Sequence, residues 1–135
     1  MVNVSMAIYN KSGTLLYGPF HPNDLWPSGD ACRVNNDGDP VVLYDQLADR
    51  WIVSQFALPN YPYGPFYECI AVSKSGTPTN NPADWYPYTF RVHNTKMDDY
   101  PKLSVWPDGY YMTVNQFDAS DNYAGAGVFA FVIRC

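Results

Sequence analysis

The densest run of oxygen-bearing side chains is Asn35-Asn36-Asp37-Gly38-Asp39. Oxygen donors at alternate positions around a glycine that permits a sharp turn make up half of a calcium loop, so Asn35, Asp37 and Asp39 are the candidate calcium ligands. Asp98-Asp99 stands at the matching place one repeat later. The rest of the EF-hand spacing is missing, and Asp-Gly is also ordinary turn chemistry, the reading that needs fewer assumptions. Calcium is the sole cofactor these residues suggest.

Glycoside hydrolysis needs two carboxyl groups flanking a bond, and Asp45 with Asp49, or Glu68, offers that chemistry. Any acidic protein offers such pairs, so no residue is assigned a catalytic role. His21 and His93 stand at loop starts, and the chain holds no HExxH and no Gly-x-Ser-x-Gly. They read as surface-loop histidines, because triads are recognised by geometry rather than by composition.

Tyr61, Tyr63, Trp85 and Tyr86 are candidate ligand-binding aromatics, able to stack on sugar rings or peptides from an exposed surface. The competing use of the same rings is packing between twisted sheets.

Three cysteines, Cys32, Cys69 and Cys135, give an odd count. In an oxidising compartment that means one bridge and one thiol left over, and in a reducing one three free thiols. No CxxC or Cys/His cluster points to a metal.

These residues need a frame. The chain has 135 residues, 47% hydrophobic and 17% aromatic, with 12 Tyr, 12 Pro and 9 Gly. That mixture suits short strands joined by turns. A net charge of −5 with only 8 Lys and Arg argues against nucleic acid, whose phosphates need clustered cations. No apolar run approaches the ~20 residues that span a bilayer. The start, Met1-Val2-Asn3-Val4-Ser5, lacks the basic and apolar regions of a signal peptide.

A repeat organises the strands. Asn10-Lys11-Ser12-Gly13-Thr14 and Ser73-Lys74-Ser75-Gly76-Thr77 lie 63 residues apart, and each follows a short apolar run. Asp39-Pro40-Val41-Val42-Leu43-Tyr44 and Tyr100-Pro101-Lys102-Leu103-Ser104-Val105 lie 61 apart, and each precedes an aromatic-rich strand ending Gln-Phe, at Gln55-Phe56 and Gln116-Phe117. Two echoes at nearly one offset predict antiparallel four-stranded units. The central unit runs A (40–45), B (50–57), C (67–73) and D (85–92). A C–D pair precedes it at 4–10 and 15–20, and an A–B–C set follows at 101–106, 110–117 and 125–133. The apolar run of strand A predicts an innermost strand covered on both faces. Pro87 places strand D at an edge. Strands A and C run parallel in such a meander, so Cys32 and Cys69 fall at one end of the unit and are the expected disulfide pair.

The expected fold is therefore all-β, a β-propeller fragment of about two and a quarter blades: a partial blade over 1–30, a full one over 31–95 and a partial one over 96–135. Exposed strand edges pair with other chains. The expected partner is thus a second copy, in a head-to-tail homo-oligomer with a trimer favoured over a dimer.

The run from Asn36-Asp37-Gly38-Asp39-Pro40 to Asp49-Arg50-Trp51, with Tyr67-Glu68-Cys69-Ile70-Ala71-Val72-Ser73 and the stretch from Asp99-Tyr100-Pro101 to Tyr110-Tyr111-Met112, resembles repeats of large secreted bacterial proteins of the β-propeller type. The resemblance implies an extracellular location and a propeller fold, and it carries over no catalytic residue. Two functions are expected: a self-assembling module with a structural or ligand-binding role, glycans being the ligand class, or a secreted carbohydrate-active hydrolase or lyase with acidic residues at a channel mouth.

Overall fold

The computed structural model describes Met1 and residues 3–132. Cys135 and the end of the strand expected to reach residue 133 lie outside the described residues. The described residues form an all-β, antiparallel arrangement of three sheets. The first is a hairpin of β1 (Met6–Tyr9) and β2 (Leu15–Phe20). The second orders β3 (Gly38–Asp45), β4 (Arg50–Ala57), β5 (Phe66–Ser73) and β6 (Trp85–His93) as consecutive neighbours. The third does the same with β7 (Met97–Trp106), β8 (Gly109–Phe117) and β9 (Tyr123–Phe131). No helix among the described residues is long and apolar enough to cross a membrane.

Side-chain alternation along β4 and β5 sends neighbouring residues to opposite faces, and both faces are mainly apolar. Val53 and Ala71 pack toward the hairpin with Met6, Phe20 and Trp85. Ile52, Ile70 and Val72 pack toward the third sheet with Tyr110, Met112, Val114 and Phe131. The sheets therefore stack, with the four-stranded one in the middle. Burying each such aliphatic side chain contributes ~1.5–3 kcal/mol, so the two interfaces are the main source of cohesion. Phe90 and Phe131 meet across the second interface with ring centroids 4.6 Å apart.

Coverage of the middle sheet is uneven. Strand A of that unit, β3, is not covered on both faces: Val42 and Tyr44 are 40% and 41% exposed. A two-stranded hairpin is too narrow to reach across four strands. The strands buried on both faces are β4 and β5.

Between β2 and β3 the chain folds over the same face as the hairpin. A 3-10 turn at Pro22–Leu25 and the short helix α1 (Ala31–Val34) seat Leu25, Trp26 and Cys32 in the first core. Asp30 caps α1 by accepting from the Cys32 N–H at 2.8 Å, and the same oxygen accepts from the Thr89 hydroxyl at 2.7 Å. The Trp26 indole donates to the Tyr88 carbonyl at 3.2 Å. Both bonds land on β6, so this segment guards the edge strand that carries Pro87. A disulfide joins Cys32 to Cys69, tying α1 to β5.

The second and third sheets share a local irregularity. The β3–β4 register slips between Gly38 and Val41, and the β7–β8 register slips between Asp99 and Lys102. At the slips Asp39 and Tyr100 both adopt positive φ, 48° and 54°. The same bulge recurs 61 residues later, at the offset of the sequence echo.

Candidate functional site

Where the hairpin stops, a groove of about 670 Å³ opens over the middle sheet. Ile8, Leu16 and Tyr17 form one wall; Val42, Trp51 and Val53 form the floor. The Trp51 indole donates to the Gly76 carbonyl at 3.0 Å, and its ring lies 5.0 Å from that of Tyr44. Val42, Tyr44, Trp51 and Leu16 are all more than a third exposed, an unusual concentration of apolar surface at one place. Beside it β1 pairs on one side only, with β2, leaving its other backbone edge open among the described residues.

The four candidate aromatics do not form one surface. Tyr61 and Tyr63 sit on the loop before β5, whereas Trp85 and Tyr86 begin β6; the pairing of Phe66 with His93 and of Ser73 with Trp85 puts the two pairs at opposite ends of the sheet. Tyr61 and Tyr63 are 51% and 69% exposed. The Tyr61 hydroxyl donates to Asp121 at 2.8 Å, joining this loop to the turn between β8 and β9. Trp85 is only 3% exposed and lines the inner side of the groove, its indole N–H donating to the Thr79 carbonyl at 2.9 Å. Tyr86 carries the Lys74 ammonium over its ring.

The candidate calcium ligands are each engaged in local structure. The Asn35 amide donates to the Ala31 carbonyl at the end of α1, and Asp37 accepts from the Leu58 N–H at 2.6 Å. Asp39 occupies the bulge. Among the described residues no three His, Cys, Asp or Glu side chains gather as a metal-binding group.

No protein family, curated protein or solved structure matches this chain.

The remaining candidates resolve into structural roles. Asp45 accepts from the Leu47 and Ala48 N–H groups and so closes the β3–β4 turn. Asp49 accepts from the Tyr44 hydroxyl. His21 bonds the Val4 carbonyl at 3.0 Å, and the His93 ring accepts from the Thr95 and Lys96 N–H groups.

Sequence reasoning underrates a polar layer between the middle and third sheets. Ser54 and Glu68 lie on the face of Ile52, Ile70 and Val72, directed at the third sheet. Asp98 pairs directly with Gln116, which shares the inward face of Met112 and Val114. The starts of β5 and β7 and the end of β8 fall at one end of the stack, so all four meet there. Gln116 donates to Asp98 at 2.9 Å. Burial pushes the Glu68 carboxyl up to about 8; the nearby Ser54 hydroxyl works against this, and the charges of Asp98 and Asp39 add to it. Burial also raises Asp98, opposed by its bond from Gln116 and by the charges of His93 and Lys96. The one available signal in sequence is a charged residue inside an otherwise apolar strand, Glu68 in Phe66–Ser73.

Proposed function

We propose that this chain is a propeller-type module that works by self-association, its groove receiving strands from a second copy in a head-to-tail ring, with three copies favoured over two. The observation that carries this reading is the asymmetry of the middle sheet. One face is covered by three strands, while the other has two strands and an apolar groove beside an open edge. Sheet faces and edges of this kind bury themselves against further strands. The same chain also exposes the complementary surface: Trp106, Tyr123 and Val128 of the third sheet are 67%, 63% and 74% exposed. A contact between two different surfaces of identical chains is heterologous and closes as a ring when the rotation allows. Within such an assembly the rigid stack serves as a structural or binding scaffold, and the exposed Tyr61–Tyr63 loop is where a glycan would stack. The intrachain disulfide supports an oxidising, extracellular setting.

Light scattering over a concentration series tests the reading. The expected mass is an integer multiple of 15.3 kDa, and Val42→Glu with Leu16→Glu should return it to the monomer while the circular dichroism of the β-structure is retained. A folded wild-type monomer at every concentration overturns the reading.

A further inference from the structure

The polar layer between the middle and third sheets is chemically unfinished. Glu68 is 1% exposed and its Oε1 has no hydrogen-bond partner. Asp98 is 2% exposed and its Oδ2 is likewise unpartnered. Ser54 is fully buried; its hydroxyl favours the charged form of Glu68 without completing a hydrogen bond of good geometry. Three buried oxygens thus face one interface, two of them from carboxyl groups that repel each other when ionised. Leaving such atoms unsatisfied costs several kcal/mol in an ordinary interior, so a native interface supplies something to them.

The surrounding charges do not supply it. His93 and Lys96 act on Asp98 from a distance. The Lys96 ammonium donates to the Ala124 carbonyl at 3.3 Å rather than to Asp98, and the His93 Nδ1 accepts two backbone N–H bonds. The ion pair found among the described residues joins Arg33 to Asp24, on the far side of the middle sheet. Asp39 adds further negative charge near Glu68. Gln116 meanwhile fixes Asp98 through its other oxygen, leaving Oδ2 available.

We propose that Glu68 and Asp98, with the Ser54 hydroxyl, form a binding site for a hard divalent cation, calcium, that bridges the middle and third sheets. The donor set is oxygen only, which suits a hard ion and disfavours zinc or copper. Two carboxylates balance a double positive charge, whereas a single shared proton leaves one negative charge buried. Such an ion ties the start of β5 to β7 and β8, and so locks the angle between neighbouring sheets. This site is distinct from the Asn35–Asp39 turn.

The experiment uses the whole chain, stripped with a chelator and titrated with calcium chloride by calorimetry and by thermal melts, at pH 6.5 and pH 8.5. The expected result is one ion per chain, a raised Tm, and affinity that strengthens up to about tenfold per pH unit while Glu68 still holds a proton that calcium must displace. Glu68→Gln and Asp98→Asn, which preserve shape, should each abolish binding and leave near-ultraviolet circular dichroism intact. Four outcomes overturn the proposal. One is no heat and no change of Tm in the wild-type chain. Another is binding that survives Glu68→Gln. The third is binding lost in Asp37→Asn but kept in Asp98→Asn, which moves the ion to the first turn. A stability that depends on pH but not on calcium assigns the layer to a shared proton and likewise overturns it.

Discussion

The Tyr110 hydroxyl reaches across the interface between the second and third sheets and donates to Asp45 Oδ2 at 3.0 Å, with both residues buried. Asp45 already closes the β3–β4 turn through Oδ1, so one carboxylate sets a hairpin and docks a neighbouring sheet. A buried hydrogen bond to a charged acceptor contributes ~1.5–3 kcal/mol. Tyr110→Phe should lower stability by about that amount, read as a lower urea midpoint at unchanged slope. Asp45→Ala should cost more, because it also releases two turn N–H groups. Equal losses in the two variants would mean that the turn bonds carry no weight.

The Cys32–Cys69 bridge closes a loop with a sequence separation of 37. For a loop of this length, restriction of the unfolded chain is worth about 4 kcal/mol. The bridge also holds Cys32 and Cys69 within the first core, where both are fully buried. Cys32→Ser with Cys69→Ser should therefore reduce the stability to unfolding by ~2–5 kcal/mol. Thermal melts of the double variant against the oxidised wild type provide the measurement, and an unchanged Tm contradicts the expectation.

Glu68 sets a pH dependence whose direction follows from its folded value of about 8 against an ordinary value of 4.5. Between those values the folded chain binds more protons than the unfolded one, so stability falls as pH rises. The contribution is fully present below pH 4.5 and is lost by the time pH passes 8. Asp98, also raised by burial, adds in the same direction. In calcium-free buffer the slope should approach ~1.4 kcal/mol per pH unit within the window. Glu68→Gln should flatten it and be the more stable chain at pH 8.5. Parallel wild-type and variant profiles of urea stability would contradict this.

Strand identity is readable in the residues because periodicity and turn chemistry are local. Along β8, Tyr110, Met112 and Val114 are buried while Thr113 and Asn115 are exposed, and that alternation is written in their types. The Gln-Phe echo likewise lands on equivalent ends of β4 and β8. What lies across an interface is not local. The apolar run of β3 looks like a doubly covered strand, yet the exposure of Val42 depends on how far a hairpin of distant residues extends. Glu68 looks like one more carboxylate of an acidic chain, and the depth of its burial shows only once β7 and β8 are laid over it. Trp85 looks like an exposed ring, and its burial depends on the Leu25–Trp26 segment folding against the same face.

The matched bulges make a last prediction about backbone rather than side chains. Asp39 and Tyr100 lie at φ 48° and 54°, a well in which a β-branched residue is strongly disfavoured and Asp or Asn is tolerated. The Asp39 N–H donates to the Asn3 side chain at 3.3 Å, so any replacement that keeps the N–H retains that bond. Asp39→Asn should be close to neutral, and Asp39→Val should cost ~1–2 kcal/mol from backbone strain alone. At the second bulge Tyr100 is 61% exposed and has the Lys102 ammonium over its ring. Exposed cation–π pairs contribute only ~0.5–1 kcal/mol, comparable to the relief gained by placing Asn in this well. Tyr100→Asn should therefore leave stability within ~0.5 kcal/mol of wild type, whereas Tyr100→Val should lose at least as much as Asp39→Val. Chemical denaturation of the four variants distinguishes strain from side-chain contacts: if both valine variants match their asparagine counterparts, the bulges are not held in the left-handed region in solution.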